Sequence, residues 1–321
     1  VRITFLGTSS GAPTRHRNVS ATAVQPERGR PWVLIDCGEG TQHQLLRTRL
    51  SPQKLEAILI THIHGDHCYG LPGLLASCQL TGRTAPLTLV GPEAVWDYLQ
   101  AVIRITDMRI EYPLHFVPAS PTLQLDAAGL RIAAAELSHR TECWGYRLQE
   151  TQVPLRLNVE RLRAEGIEPG PLYNQLQRGE DVLLADGRRL SSADYTEPSR
   201  KARVAVIGGD NDQPERLRDL CQDADLLVHE ATYTEATLAQ IGPEPQHSSA
   251  ARVARFAQSA AIPNLILTHF SPRYLTRARR PGDLTITALR DEAATLFSGK
   301  LVLAEDFARY LLSREGWLLP L

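Results

Sequence analysis

Five short apolar runs, rich in β-branched residues, each end in side chains able to hold a metal ion, and this repetition constrains the fold more than any other feature of the sequence. Leu55-Glu56-Ala57-Ile58-Leu59-Ile60 leads into Thr61-His62-Ile63-His64-Gly65-Asp66-His67, and Leu130 to Leu137 leads into Ser138-His139. Ala202 to Ile207 runs into Gly208-Gly209-Asp210, Leu226-Leu227-Val228 precedes His229-Glu230, and Leu265-Ile266-Leu267 precedes Thr268-His269. Six of the ten histidines thus stand where a strand gives way to a loop. Strands of one sheet that emit polar residues at one edge would gather these groups, although about 200 residues of chain separate them.

Between the runs lie stretches with helical spacing, Gly70 to Leu80 and Ser248 to Ala261, the second opening on Ser248-Ser249 as caps. Strands alternating with helices predict an α/β or α+β layered fold. Residues 150–198 break the pattern with weak periodicity, mixed charge and the punctuation Pro169-Gly170-Pro171. A long irregular excursion inside a compact domain is uncommon and often functional. The segment is therefore read as an arm inserted into a single domain spanning residues 1–321, not as a second core, although length alone would allow about two domains.

Composition narrows the partners. The 321 residues are 43% hydrophobic and 22% charged, an ordinary globular balance with length enough for a sizeable core. Lys and Arg number 35 against 36 Asp and Glu, so nothing supports broad nucleic-acid binding and any polyanion site must be local. No apolar run reaches the roughly 18 residues of a membrane span, and strand-like alternation from Val1 leaves no room for a signal peptide. A soluble, cytoplasmic protein with no membrane partner is expected. Cys37, Cys68, Cys78, Cys143 and Cys221 are scattered, which predicts reduced, mostly buried thiols and neither a disulfide framework nor a Cys-rich zinc site.

In His62-x-His64-x-Asp66-His67, three imidazoles and a carboxylate fall within six consecutive positions after a strand. On extended backbone alternate side chains share a face, so His62 and His64 can bind one ion, while a turn at Gly65 redirects Asp66 and His67 toward another. Imidazole and carboxylate without thiolate suit zinc, with manganese or iron as alternatives. His139, Asp210 and His269 would complete two coordination shells. Lone histidines such as His43 and His115 are better read as ordinary polar residues, and Cys68 as packing.

This motif, with the downstream His, Asp and His, resembles the metallo-β-lactamase superfamily, which implies a four-layer αββα sandwich with two metals at one edge of its paired sheets. Further segments are similar to the short-form tRNase Z family in particular and extend the resemblance over nearly the whole chain. Pro13-Thr14-Arg15-His16-Arg17-Asn18 is similar to the family loop Pro-x-Lys-x-Arg-Asn that handles the tRNA 3′ end, with Arg15 where Lys is common. The resemblance implies Arg15, Arg17 and Asn18 as substrate-binding residues, a role that suits the phosphate-matching guanidinium. Asp36-Cys37-Gly38-Glu39-Gly40-Thr41-Gln42 matches a family segment read as mainly structural, with Asp36 near the metals as the weaker alternative. Gly170-Pro171 through Arg178-Gly179 resembles the hallmark of the family's flexible arm, an exosite that grips the tRNA body. It implies Gly170, Pro171 and Arg178 as binding residues and, since the arm of one subunit serves its partner in the family, a homodimer.

His229-Glu230-Ala231-Thr232 and His247-Ser248-Ser249 resemble the family motifs His-Glu-Ala-Thr and His-Ser-Thr; Gly209-Asp210-Asn211 departs from the usual Gly-Asp-Thr. The resemblance implies a zinc-dependent endoribonuclease that removes the 3′ trailer of precursor tRNA, leaving a tRNA 3′-hydroxyl and a trailer 5′-phosphate. It implies two Zn2+ per subunit, with Mn2+ as a substitute, one held by His62, His64 and His139, the other by Asp66, His67 and His269, with Asp210 bridging and a metal hydroxide attacking. Glu230 would hold His247 as general acid. Asp66 is a second candidate for proton transfer, although a metal-bound carboxylate is poorly placed to be basic. A small-molecule hydrolase acting on a phosphodiester, sulfate ester or thioester would share every ligand; the arm and the Pro13 to Asn18 loop argue against it. An RNA-binding protein without catalysis is disfavoured by the intact ligand set.

Overall fold

The computed structural model describes residues 1–321. Alternation along the strands builds its layers. In Leu55–Leu59 and the residue after it, Ala57 and Leu59 enter one apolar cluster, while Ile58 and Ile60 enter another on the opposite face. Ala205 and Ile207 likewise face the first cluster and Val204 and Val206 a third. A strand buried on both faces is apolar at nearly every position, and in these two runs only the exposed Glu56 departs from that. The three clusters define four layers. The central one fills the space between two sheets, and the outer two press helices onto the far faces: Leu71–Leu80 and Glu93–Thr106 on one side, Ala250–Ser259 and Ile286–Ala294 on the other. This is the metallo-β-lactamase sandwich.

The first sheet has eight strands, in the order Leu318–Pro320, Arg309–Leu312, Arg2–Gly7, Ala21–Gln25, Trp32–Ile35, Leu55–Leu59, Leu87–Gly91 and Leu114–Pro118. The second has seven: Lys300–Leu303, Asn264–Thr268, Leu226–Glu230, Val204–Ile207, Trp144–Glu150, Leu130–Glu136 and Leu125–Ala127. Trp32–Ile35, Leu55–Leu59, Leu87–Gly91 and Leu114–Pro118 are mutually parallel, as are Val204–Ile207, Leu226–Glu230, Asn264–Thr268 and Lys300–Leu303. Parallel strands end on one edge, and ligands of open α/β sheets gather outside those carboxyl ends. The helix Ala250–Ser259 is capped by Ser249, whose hydroxyl accepts from the Arg252 N–H, whereas Ser248 donates to Asn211 and belongs to the site.

Residues 150–202 form a compact unit apart from the rest. The segment that sequence periodicity marks as irregular is folded. Its strands Leu155–Leu157 and Thr196–Pro198 pair antiparallel, as do Val182–Leu183 and Arg189–Leu190, and Leu162, Ile167, Leu176, Val182, Leu190 and Tyr195 make a small core of their own. The expectation of no second core is corrected to that extent: the elements are two to seven residues long, too short for a periodic pattern to emerge. Gly170-Pro171 starts a helix, Pro171–Gln177, with proline in the first turn where its missing N–H costs nothing. Arg178 follows it, its Nε donating to the Asn174 carbonyl at 3.2 Å, exposed near Glu180.

Where the two sheets meet below the site, only glycine fits. A Cβ on Gly209 would stand 2.7 Å from Cys143 Sγ, 2.7 Å from Thr61 Cβ and 2.9 Å from the Trp144 carbonyl oxygen. Gly209→Ala should therefore destabilise the fold by about 1–3 kcal/mol, the usual range for overpacking. Urea unfolding checks this, and an unchanged midpoint would contradict so close an approach.

Candidate metal centre

Several of the strands that end at the common edge contribute. Leu55–Leu59 is followed by His62 and His64, then by the short helix Gly65–Cys68 that carries Asp66 and His67. Asp210 follows Val204–Ile207, and His269 follows Asn264–Thr268. His139 lies in the connection into Trp144–Glu150, whose start pairs against the end of Val204–Ile207. His229 and Glu230, expected after their strand, are its last two residues. Alternation then sends them apart: Glu230 faces the site, while His229 is held by the Glu230 carbonyl and the Asn211 amide.

Two donor sets result. His62 Nε2 lies 3.0 Å from His64 Nδ1, which lies 3.2 Å from His139 Nε2. His67 Nε2 is 3.1 Å from His269 Nε2, and Asp66 Oδ2 is 3.4 and 3.3 Å from these two nitrogens. Asp210 stands between the sets. Its Oδ2 faces His62 and His139 at 3.7 and 3.8 Å, and its Oδ1 faces His67 and His269 at 3.6 and 3.3 Å. Ligands about 2.0–2.1 Å from a tetrahedral zinc are roughly 3.3–3.4 Å from each other, so both sets have the spacing of a coordination shell.

The outward nitrogens decide the protonation of the inward ones. His139 Nδ1 is 3.0 Å from the Gln246 carbonyl, an acceptor only, and His67 Nδ1 is 2.7 Å from Asp36 Oδ2. Thr232 gives its proton to Glu230 and so accepts from His269 Nδ1 at 3.0 Å; Thr61 gives its proton to Asp36 and accepts from His62 Nδ1 at 3.0 Å. In neutral rings these bonds leave lone pairs on the inward nitrogens, facing one another at close range, an arrangement that a cation between them makes favourable. The residues fit divalent metal.

Charge agrees. Burial lowers the pKa of His62 far below its ordinary value and that of His64 and His139 less strongly, which favours the neutral form that a metal ion can bind. Burial alone would raise Asp66 and Asp210, but the neighbouring imidazoles, chiefly His67 and His269, hold both carboxyls well below the usual range. For His67 burial acts downward and is outweighed by Asp66, Asp210 and Asp36, which raise it. The centre attracts positive charge, which a divalent cation supplies. Asp66 Oδ2 also accepts the Gly11 N–H at 2.6 Å, which ties the carboxylate to the loop before Pro13.

Beside the donor sets, His247 Nδ1 lies 3.4 Å from Glu230 Oε1 and 3.7 Å from Asp210 Oδ2. Glu230 already accepts from the Ser248, Thr232 and Asn211 N–H groups and the Thr232 hydroxyl. Its contact with His247 is an ion pair, and the buried Nδ1 has no hydrogen-bond partner. Burial lowers the His247 pKa, Asp210 and Glu230 raise it more, and it settles at about 9. Asn211, in place of Thr, accepts from Ser138 and Gln213 and so ties the His139 loop to the Asp210 loop.

The expected substrate loop divides. Arg15 is exposed beside the site, whereas Arg17 is turned inward, donating to Thr8 at 2.7 Å and to the Ala304 carbonyl at 2.6 Å. Asn18 is bound to Glu39 and Asp306. Arg17 and Asn18 are thus tied into the loop by intramolecular bonds, with Arg17 also lining a groove beside Phe270. Asp36, given mainly a structural role by the sequence, holds His67 and, through Thr61, His62. Thr61, Thr232 and Gln246 escape a reading of the sequence, where adjacency to the histidine motifs is their only signal.

A β-lactamase superfamily domain is matched by residues 31–157. Fold comparison alone does not choose an activity: human tRNase Z, short form, superposes with TM-score 0.67 at 24% identity over 98% of this chain and 100% of that one, and a diphosphatase of the PhnP family does so with TM-score 0.61 at 17% identity over 98% of each. Sequence does. Ribonuclease Z of Marinobacter nauticus is 49% identical over 316 residues, 98% of this chain and 97% of its own. The chain belongs to the ribonuclease Z family. That ribonuclease Z relationship spans both the donor sets and the unit at residues 150–202.

If Asp36 orients two ligands, Asp36→Ala should weaken divalent-metal affinity by about 10- to 100-fold, the usual cost of losing such a partner. Competition with a chromogenic chelator measures it, and unaltered affinity would show that Asp36 does not support the centre.

Proposed function

We propose that this chain is a zinc-dependent endoribonuclease that removes the 3′ trailer from precursor tRNA. The observation that carries the reading is the Asp210 carboxylate, one oxygen toward each donor set, with the His247–Glu230 pair alongside. His62, His64 and His139 would hold one ion, Asp66, His67 and His269 the other, and Asp210 both; manganese could replace zinc in such an oxygen and nitrogen set. When bound, a pair of divalent cations lowers the pKa of water and stabilises the oxygens of a phosphodiester undergoing in-line displacement.

The chain's own residues address the leaving group. A ribose alkoxide is a strong base and departs more easily when it receives a proton in the transition state. His247, kept cationic by Glu230 and Asp210, is placed to give that proton to the 3′-oxygen of the tRNA as the bond from phosphorus to that oxygen breaks. The phosphate stays on the trailer. Glu230 acts by positioning, its own oxygens fixed by backbone donors of the Thr232 and Ser248 segments.

The unit at residues 150–202, with Gly170, Pro171 and Arg178, is read as the exosite for the tRNA body, which a small-molecule hydrolase would not need. A homodimer, in which the arm of one subunit would serve its partner, is part of the same reading. Five free, buried thiols support a reducing compartment such as the cytoplasm. No helix is long and apolar enough to cross a membrane.

The proton-donor role has a selective test. Nitrophenolate leaves without a proton, so His247→Ala should slow precursor-tRNA cleavage by about 10²-fold more than it slows cleavage of bis-p-nitrophenyl phosphate. Both rates are measured on enzyme whose metal content matches the unsubstituted protein. Equal losses would assign His247 to metal geometry or structure.

A further inference from the structure

His229 belongs to neither donor set, yet it is fully buried, its ring packed so close to the backbone that a Cβ on Gly208 would stand 3.3 Å from His229 Cδ2. A buried imidazole without chemistry of its own must have its hydrogen bonds met by neighbours. His229 Nδ1 is 2.7 Å from the Glu230 carbonyl and so carries the proton, which leaves Nε2 as an acceptor, 3.3 Å from Asn211 Nδ2. The ring thereby orients the amide. Turned end for end, the amide of Asn211 would set its oxygen against the Nε2 lone pair and its NH2 against two backbone N–H groups. Asn211 Oδ1 therefore takes those two, from Ser138 at 3.2 Å and Gln213 at 3.1 Å, and every bond from the Glu230 carbonyl to Ser138 has one assignment.

Ser138 immediately precedes His139. Its carbonyl accepts the Asp212 N–H at 3.1 Å, and one such bond would leave the loop free to pivot about it. The second bond, from the Ser138 N–H to Asn211, removes that freedom. A threonine at position 211 would present a single hydroxyl on a shorter stem, and could not span from His229 to Ser138 as the amide does. The other donor set has different support: Asp36 behind His67 and Thr232 behind His269. We infer that His229 and Asn211 are positioning residues, the imidazole orienting the amide and the amide holding His139 at the angle its donor set requires. The inference rests on the reading of His62, His64 and His139 as one metal set.

Equilibrium dialysis against buffered zinc counts the bound ions and gives the affinity of each, without reference to RNA cleavage. Asn211→Ala should weaken one of two zinc ions by about 10-fold and leave the other nearly unchanged, the scale expected when the partner behind a ligand is lost. H229L keeps the bulk of the ring and removes the acceptor, so it should loosen the same ion; H229Q, whose amide oxygen can stand where Nε2 accepts, should retain it. The route through His139 is tested by N211A/H139A, whose loss should equal that of H139A alone, since coupled residues do not add. Unchanged affinity in N211A, equal weakening of both ions, or losses that add to those of H139A would overturn the inference. If N211A does not fold, the comparison of H229L with H229Q stands by itself, and equal affinities in those two would overturn it. Two tightly held ions in H139A would remove the ligand reading and the inference with it, whereas one loosened ion in H139A and none in N211A would remove the inference alone.

Discussion

One buried carboxylate, Asp210, joins the two halves of the centre, and the rest of the structure can be understood as the means of holding it there. Its two oxygens divide between His62 and His139 on one side and His67 and His269 on the other. A carboxylate so deeply buried would ordinarily be protonated; the surrounding imidazoles keep it ionised. Gly209, immediately before it, lets the two sheets approach closely enough for donors from both to reach the same anion. Backbone geometry is enlisted as well, since Asp36 and His269 both sit at positive φ, 58° and 57°. Non-glycine residues adopt that conformation rarely and at a cost, and here it turns one side chain toward His67 and the other toward Asp66.

The arrangement also separates tasks that one kind of residue could not combine. Burial favours the neutral, metal-binding form of His62, His64 and His139, whereas His67, ringed by Asp66, Asp210 and Asp36, is raised. An imidazole that serves as a general acid must be charged, and His247 owes its higher pKa to two carboxylates, although it is itself largely buried. Divergent environments for chemically identical rings are how one site carries both functions. The hydrogen bonds behind the ligands, from Asp36, Thr61, Thr232 and Gln246, fix which nitrogen of each ring points inward.

Much of this is legible in the sequence because strand ends and metal ligands carry strong local signals. The run before His62 and the spacing through His67 announce both the edge and the chemistry, and alternation explains how Ile58 and Leu59 serve different layers. What stays hidden is non-local or conformational. Arg17 and Arg15 are two positions apart in one loop, yet Arg17 turns inward to Ala304, a partner far along the chain. The reach of Asp36 to His67 depends on left-handed backbone that no composition rule assigns to Asp. The sequence pattern places His229 and Glu230 beyond a strand that includes them. Residues 150–202 fold from elements too short to leave a periodic signature, so their small core around Leu162 and Leu176 has no sequence signal.

Membership in the ribonuclease Z family and the donor sets around Asp210 support the proposed hydrolysis of one phosphodiester, in which the phosphate would stay on the downstream fragment. The chemical identity of the new ends tests that account most directly, because attack by water and attack by the neighbouring 2′-hydroxyl leave different groups. Precursor tRNA should be cut by the purified, metal-replete protein at a single position near the acceptor end, and end-group analysis should find a 3′-hydroxyl on the tRNA and a 5′-phosphate on the trailer. A 2′,3′-cyclic phosphate on the tRNA, or no cleavage by protein with a full metal complement, would contradict it.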